Sequence, residues 1–305
     1  MTDQVIIAAQ GLYKAYSDNT VVRGIDFAVM QGQCVGLLGP NGAGKTTTIG
    51  MILGNSRITS GALSVFGLPV QGNELAIRQR SGVVVQTDDL DPDFTVEENL
   101  LVFASFYGMS KAAAHSVVPS LLEFVQLTDK AKAKVDQLSG GMKRRLSIAR
   151  ALINDPELVI MDEPTTGLDP QVRHLIWERL RRLKQQGKTL LLTTHYMEEA
   201  ERLCDNIWVI DNGIIIAQGS PRELIAEHVE SQVVEVHGGN STLFDQVNQW
   251  QLARIENVGE TLYCYCDQPQ TLMDNLLAIS GVNFYVRPSN LEDVFLRLTG
   301  RDLRD

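Results

Sequence analysis

The sequence predicts an α/β fold with a parallel sheet, followed by a smaller α+β domain. Two charge-free apolar runs, 158–161 and 190–194, suit parallel strands that are buried on both faces. Helical runs separate these strands, as they do in α/β proteins. Beyond about residue 229 a new pattern of strands and helices begins, and 305 residues suffice for two domains. We therefore expect a first domain at 1–228 and a second at 229–305.

The first domain opens with strands and a glycine-rich loop. Residues 4–38 alternate like antiparallel strands with a turn at 17–19, and their last apolar run is 34–38. The loop that follows fits G-x-x-x-x-G-K-[ST], and a helical run begins near Thr46. In this arrangement the backbone N–H groups point inward, and the helix adds about half a positive charge at its N-terminus. The loop is therefore predicted to bind the phosphates of a nucleoside triphosphate.

Individual residues of this loop have expected roles. Lys45 would reach the β- and γ-phosphates, and the Thr46 hydroxyl would ligate Mg²⁺. The predicted phosphate-binding residues are Gly39, Pro40, Asn41, Gly42, Ala43, Gly44, Lys45, Thr46 and Thr47.

A helical segment is expected between Gln86 and Leu138, after a short strand near 62–66. Gln86 ends an apolar strand and is a neutral ligand for Mg²⁺ or water, although an ordinary surface glutamine is the alternative. Thr95 and Glu98 form the capping-box pattern that opens a helix. The segment has about fifty residues, which suits a small helical subdomain.

A second phosphate cradle is expected at Ser139, Gly140 and Gly141. Ser139 suits the N-cap of a helical run at 143–153, and the two glycines let the backbone approach an anion closely. An ordinary helix cap is the alternative. We refer to these three residues as the second cradle.

Acidic and imidazole groups follow the two apolar strands. Asp162 and Glu163 end the run 158–161, and His195 follows the run 190–194. The carboxyl ends of parallel strands meet at one sheet edge, where ligands gather. We expect Asp162 to hold Mg²⁺ through water, Glu163 to accept the proton of an attacking water, and His195 to contact the γ-phosphate. Helix capping by the acidic pair and a structural histidine are the alternatives.

The rest of the chain predicts a hairpin, a helix and then the second domain. Asp211-Asn212-Gly213 reads as a tight hairpin turn, and Ser220 to Glu223 as a helix start. The pattern that follows is β-α-β-β-α-β, a ferredoxin-like split motif, with a closing helix. Its strands are expected at 233–237, 252–256, 262–266 and 283–287, and its helices at 242–250, 271–279 and 291–298. We expect a dimerisation or regulatory module; a stabilising appendage is the alternative.

Composition excludes several classes. A net charge of −10 argues against a partner made of nucleic acid, whose binders carry a basic stripe. No apolar run reaches the roughly 18–20 residues that span a bilayer, and the N-terminus lacks a signal peptide's apolar core. Membrane association is therefore expected through a partner. The cysteines, Cys34, Cys204, Cys264 and Cys266, are interpreted as reduced thiols of a cytoplasmic protein.

These motifs, in this order, resemble the ATPase subunits of ATP-binding-cassette (ABC) transporters. The shared motifs are the Walker A loop 39–46, Gln86, the signature 138–142, the Walker B strand 158–163, Thr166-Gly167-Leu168-Asp169 and His195. The resemblance implies a P-loop NTPase fold with a RecA-like core, an antiparallel β subdomain and a helical subdomain at about 87–150. It also implies ATP and Mg²⁺ as cofactors. One departure is Met142, where many members carry Gln.

The resemblance implies further roles. Tyr16 would stack on adenine, with Tyr13 the second candidate and edge-strand packing the alternative for both. The second cradle would meet the nucleotide held by another subunit, in a head-to-tail homodimer or a pair with another ABC subunit. Asp169 would lie across that interface and couple the two sites; a helix N-cap is its alternative.

A closer resemblance is to the ABC-2-type exporters of drugs and lipooligosaccharides, and above all to the ATPases of rhizobial nodulation-factor exporters. The segments that carry it are 91–100, 143–146, 175–180, 197–204 and 288–295. It implies a separate integral-membrane permease, which a segment around 88–106 would contact, and a position at the cytoplasmic face of the cell membrane. The substrate, whether lipooligosaccharide, drug or polysaccharide-like, would be chosen by that permease.

Other classes remain alternatives at this point. An importer ATPase can also carry a C-terminal domain, so only the ABC-2-like segments argue against it. A soluble ABC ATPase acting on ribosomes or DNA would normally show two cassettes or a basic surface run. A GTPase is disfavoured because no Asn-Lys-x-Asp motif occurs.

Overall fold

The computed structural model describes residues 4–17, 19–86, 89–237, 241–279 and 281–300. Contacts divide the chain into two compact units, 1–218 and 219–305.

The first unit contains an antiparallel and a mainly parallel sheet. Its strands are β1 (Val5–Tyr16), β2 (Asn19–Met30), β3 (Cys34–Leu38), β4 (Ser60–Val65), β5 (Leu68–Pro69), β6 (Ser81–Val84), β7 (Leu158–Asp162), β8 (Thr189–Thr194), β9 (Asn206–Asp211) and β10 (Ile214–Gly219). The antiparallel sheet has the order β2-β1-β4-β5, and the other sheet has the order β10-β9-β3-β8-β7-β6. Parallel pairing joins β6 to β7, β7 to β8, and β3 to both β8 and β9.

The N-terminal strands differ in part from the expectation for residues 4–38. β1 and β2 pair antiparallel, as predicted, but β3 lies in the parallel sheet. The reason is its sequence, Cys-Val-Gly-Leu-Leu, which is buried at every position and therefore needs cover on both faces. Asp18 of the predicted turn lies outside the described residues.

The first unit also contains helices. They are α1 (Lys45–Ile52), α2 (Glu74–Gln79), α3 (Val96–Phe106), α4 (Lys111–Phe124), α5 (Gly140–Ala151), α6 (Pro170–Gln185) and α7 (Met197–Leu203), with short 3-10 turns at Thr128–Lys130 and Val135–Gln137. The predicted capping box opens α3: the Thr95 side chain accepts from the Glu98 N–H, and Glu98 caps Thr95 in return. Helix α5 begins at Gly140 rather than near Lys143, because the Ser139 hydroxyl accepts from the Met142 N–H and fixes an earlier first turn.

One hydrophobic core joins the two sheets of the first unit. Phe27 of β2 and Trp208 of β9 pack with ring centroids 4.5 Å apart. Helix α1 contributes Met51 and Ile52, which are fully buried in the same cluster. The loop between β3 and α1 therefore starts and ends on rigid elements. The P-loop α/β class predicted for this part of the chain is confirmed.

The second unit is an antiparallel sheet with helices. It comprises α8 (Pro221–His228), β11 (Gln232–His237), α9 (Ser241–Gln249), β12 (Arg254–Val258), β13 (Thr261–Cys266), α10 (Gln270–Leu277), β14 (Asn283–Pro288) and α11 (Leu291–Thr299). The strand order is β12-β13-β11-β14, with every neighbouring pair antiparallel. This is the arrangement of a ferredoxin-like split motif.

The division between the units falls earlier than the sequence-based boundary at 228/229. Helix α8 contacts α11, and it buries Pro221 and Leu224. These contacts place α8 in the second unit, at 219–305. Sequence alone could not locate this boundary, because the α8 start signals are the same whichever unit the helix joins.

In the second unit Cys264 and Cys266 lie on one face of β13, as strand alternation predicts. Both pack into the core formed with α9 and α10. Burial raises the pKa of the Cys264 thiol to about 12. On the opposite face, Arg287 donates to Asp293 (2.7 Å), which also accepts from the Tyr265 hydroxyl (3.0 Å).

None of the helices in the described part of the chain combines the length and apolar character that crossing a bilayer requires.

Candidate functional site

The glycine-rich loop closes around the Lys45 side chain. The Lys45 ammonium donates to the carbonyls of Gly39 (2.7 Å) and Pro40 (3.1 Å). Burial lowers its pKa, and the nearby carboxylates of Glu163 and Asp162 partly offset that effect. The ammonium therefore lies inside the loop, within the field of both acidic residues at the end of β7.

Close backbone packing explains two glycines of the loop. A Cβ on Gly39 would lie 2.2 Å from the carbonyl oxygen of Ile210, in β9. Gly44 has φ 107°, and a Cβ there would lie 2.9 Å from the carbonyl oxygen of Val21, in β2. A third contact links the loop to the hairpin after β9, since the Gly213 N–H donates to the Ala43 carbonyl (3.1 Å).

Asp162 is held from two neighbouring elements. The Thr46 hydroxyl, at the start of α1, donates to Asp162 Oδ2 (3.1 Å). The Thr193 hydroxyl, near the end of β8, donates to Asp162 Oδ1. The structure thus brings Thr46 and Asp162, two of the residues expected to hold Mg²⁺, within hydrogen-bond distance of each other.

Glu163 lies at the centre of the site and is 8% exposed. Its Oε2 accepts from Gln86 Nε2 (3.3 Å) and from the Thr166 hydroxyl (3.1 Å). His195 Nδ1 lies 3.4 Å from Glu163 Oε1. Side chains that follow β6, β7 and β8 therefore meet at one carboxylate, an arrangement that can hold a polar reactant beside it.

Other predicted residues lie apart from this cluster or have local partners. Tyr16 is 48% exposed, its hydroxyl bonds to Ser56 (2.9 Å), and Lys14 Nζ lies 4.2 Å from the ring centroid. The Tyr13 hydroxyl bonds to Thr20 (2.8 Å). Tyr16 therefore presents more ring surface than the half-buried Tyr13. Around the loop, Asn41 and Gly42 are exposed and Thr47 is half-buried.

Ser139 of the second cradle and Asp169 are helix caps in this chain. Ser139 caps α5 and Asp169 caps α6, where its Oδ1 accepts from the Val172 N–H (3.0 Å). Ser139 and Gly140 are exposed. A Cβ on Gly141 would lie 3.1 Å from a methyl of Val172, so this glycine also permits α5 to pack close to α6. These capping hydrogen bonds leave the residues able to contact a ligand or partner as well, because their outer sides face solvent.

Sequence reasoning missed a buried glutamate beside the site. Glu199 of α7 is 0% exposed, and its Oε1 accepts from the Thr165 hydroxyl (2.8 Å) and from Trp177 Nε1 (2.9 Å). Burial raises the pKa of this carboxyl, and its hydrogen bonds partly offset the rise. Through these hydrogen bonds, Glu199 links the turn after Glu163 to the helix after His195. Only its place four residues after His195 could have drawn attention to it.

Comparisons with known proteins give matches over almost the whole chain. A family model described as ABC transporter matches residues 22–166, and one described as Nodulation factor export protein NodI, C-terminal domain, matches residues 241–300. The Nod factor export ATP-binding protein I of Ralstonia nicotianae is 54% identical over 98% of this chain and 95% of its own length.

Solved structures of ABC transporter ATPases are also similar to this chain. The ATP-binding subunit of an ABC transporter is 33% identical, with a TM-score of 0.67, over 73% of this chain and 92% of its own. A bacterial ABC transporter cassette solved as a dimer is 27% identical, with a TM-score of 0.65, over 70% of this chain and 98% of its own.

Proposed function

Because this chain belongs to the Nod factor export ATP-binding protein I family of ABC transporter ATPases, we propose that it drives a separate ABC-2-type permease from the cytoplasmic face of the cell membrane. The chain is the ATP-binding subunit of an exporter, and its reaction is ATP hydrolysis coupled to transport. The meeting of Gln86, Glu163 and His195 at one sheet edge, beside the Lys45 loop, is the observation that carries the proposal. The relative is named as an export protein, which favours this function over the importer and soluble ATPase alternatives.

We propose that hydrolysis depends on placement and charge rather than on covalent chemistry. The loop amides and Lys45 hold the β- and γ-phosphates. When ATP binds, hydrogen bonds from Lys45 to phosphate oxygens replace its bonds to the loop carbonyls. Glu163 Oε1 takes the proton of the attacking water, and its Oε2 stays fixed by Gln86 and Thr166. His195, next to the same carboxylate, orients the γ-phosphate.

The donor set also fits Mg²⁺. Thr46, Gln86 and Asp162 offer hydroxyl, amide and carboxylate oxygens, the hard ligands that this ion takes beside phosphates. When bound, the ion would neutralise charge on the phosphate oxygens. Thr193 keeps Asp162 oriented toward this position through its hydroxyl.

We propose a head-to-tail homodimer as the working form. Ser139 and Gly140 of the second cradle are exposed at the start of α5, so their outer sides are free to meet a phosphate held on the partner's Lys45 loop. Asp169, capping the neighbouring helix, would lie across the same two-fold interface. A similar cassette solved as a dimer supports this assembly.

Adenine stacking is proposed for Tyr16. Tyr16 is exposed, and Lys14 Nζ lies over its ring. Tyr16→Ala should raise the Kd for ATP by about tenfold, in line with about 1–3 kcal/mol for stacking on a base. Tyr16→Phe should leave the Kd almost unchanged, because stacking uses the ring and not the hydroxyl. Fluorescence titration with a labelled ATP analogue measures both; a change confined to Tyr13→Ala would assign the role to Tyr13.

An apolar groove in the first unit is the proposed permease contact. It measures about 380 Å³ and lies between β6 and α3. Phe106 and Val102 line it and are 75% and 37% exposed, and Asp89 and Asp91 lie at its acidic side. These features suit a cytoplasmic helix of the permease with apolar and basic side chains. Of the segment expected to relay motion, 88–106, Asp88 lies outside the described residues.

Phe106→Ser should therefore separate the ATPase from its permease without unfolding it. Truncation of an interface anchor weakens binding by about tenfold or more. The measurement is co-purification, from detergent-solubilised membranes, with an epitope-tagged ABC-2-type permease from the same genome. Leu75→Ser is the matched control, since Leu75 is equally exposed (72%) but lies on α2, away from the groove. Equal recovery of permease with both variants would contradict the proposed contact.

For the exported molecule we propose a lipooligosaccharide of the nodulation-factor kind, after the relative's name, before a drug or another polysaccharide. Loss of the lipooligosaccharide from the medium of a deletion strain, restored by the wild-type gene and not by a Glu163→Gln gene, tests this choice.

A further inference from the structure

Arg144 makes an unusual set of hydrogen bonds. It lies on α5 and is 5% exposed. Its guanidinium donates to the carbonyl of Val85, the residue before Gln86. It also donates to three consecutive carbonyls at the end of β7: Asp162 (2.8 Å), Glu163 (2.7 Å) and Pro164 (2.8 Å).

The backbone that Arg144 contacts is strained at one residue. Glu163 has φ 49°, in the left-handed region that residues with a side chain rarely adopt. Such a conformation is unfavourable and persists only where the surroundings fix it. The Glu163 N–H donates to the carbonyl (3.1 Å) and hydroxyl (3.0 Å) of Thr193. Thr193 therefore holds the Glu163 N–H side of this turn, and Arg144 holds its carbonyl side.

A guanidinium suits this task better than any other side chain. It is planar, permanently charged, and presents donors along a rigid fork, so it can serve acceptors on two strands at once. An ammonium is a compact point charge and could not span from Val85 to Pro164 in the same way. The neighbouring Arg145 provides a contrast, because it donates to Val125 (2.9 Å) and Gln126 (3.1 Å), after α4 and outside the site.

We propose that Arg144 is a positioning residue for hydrolysis: it holds the strained turn that aims Glu163, and ties that turn to the strand end that carries Gln86. The inference rests on the proposed role of Glu163 as base. Because Arg144 lies on the helix that the second cradle opens, any movement of that helix on binding a partner's nucleotide reaches the Glu163 backbone directly.

The test uses the full chain in complex with its permease and compares Arg144→Gln, Arg144→Lys and Arg145→Gln. Arg144→Gln should lower kcat by about 10²-fold, toward the loss expected without a working general base, while KM for ATP changes by less than about threefold. Arg144→Lys keeps the charge and loses the fork, so an intermediate loss of kcat is expected with KM for ATP again changed by less than about threefold. Arg145→Gln should leave kcat near the wild-type value.

A second measurement separates positioning from a general structural role. In a Glu163→Gln background, adding Arg144→Gln should reduce the residual hydrolysis by no more than about twofold, because residues acting as one unit are not additive. A multiplied loss in that background would overturn the inference, as would a kcat in Arg144→Gln and Arg144→Lys equal to that of Arg145→Gln. A wild-type complex without ATPase activity would instead overturn the proposed function, and this inference with it.

Discussion

Replacing Glu163 by Gln should slow ATP hydrolysis by about 10²–10⁴-fold, the usual loss on removing a general base. The amide keeps the size of the carboxylate and can still bond to Gln86 and Thr166, so the site should stay assembled. ATP binding should survive, because the phosphate loop and Lys45 are untouched. Steady-state phosphate release by the permease complex, together with a nucleotide-binding titration, checks both parts.

Two comparisons make this result specific. Glu198→Gln removes a carboxylate on α7 that pairs with Arg202 at the surface, so turnover should stay near the wild-type value. Lys45→Ala should weaken ATP binding as well as hydrolysis, because it removes the cation inside the loop. Near-native turnover in Glu163→Gln would show that another group serves as base.

Placing an arginine at Ser139 should abolish the ATP-stabilised dimer. We expect the second cradle to lie against the nucleotide of the partner, so a long side chain there would separate the two chains. Purified Glu163→Gln should shift toward the mass of a dimer in Mg-free ATP, because the ATP between the two chains is not hydrolysed and the dimer therefore persists. Light scattering of that variant, with and without Ser139→Arg, measures the difference.

Ser110→Arg is the matched control for lost capping. Ser110 caps α4 through the Ala113 N–H (3.2 Å), much as Ser139 caps α5 through the Met142 N–H (3.3 Å). Each substitution should cost about 0.5–2 kcal/mol of folding stability as a lost cap. Dimerisation should fail only with Ser139→Arg. A dimer that persists with this variant would mean that the second cradle lies outside the interface, and the head-to-tail mechanism would have to be abandoned.

The sequence predicts which side chains cluster at the site, but it does not predict the backbone conformation that positions them. The apolar runs before Gln86, Glu163 and His195 predict strand ends, and parallel strands bring their ends to one edge. Nothing local predicts the left-handed φ of Glu163, because it depends on Thr193 and Arg144, distant in sequence. Nothing in the run of basic residues at 143–145 indicates that Arg144 is buried.

The same limit applies to Glu199 and to the unit boundary. A glutamate in an acidic stretch of α7 gives no sign that Thr165 and Trp177 converge on it. Likewise the start of α8 carries strong capping signals, which fix where the helix begins but not which unit it packs against. In both cases the outcome depends on tertiary contacts, which a single sequence does not reveal.

The packing of the glycine-rich loop has a consequence for how tightly ATP can bind. Ile210 and Val21, from two different sheets, press on the loop backbone, and Gly213 bonds to its middle. The loop thus loses its conformational freedom when the chain folds. Ordering a loop during binding would subtract from affinity, and a loop ordered beforehand avoids that loss. Because ordering the loop takes none of the free energy of nucleotide binding, more of that free energy remains to close one cassette against another.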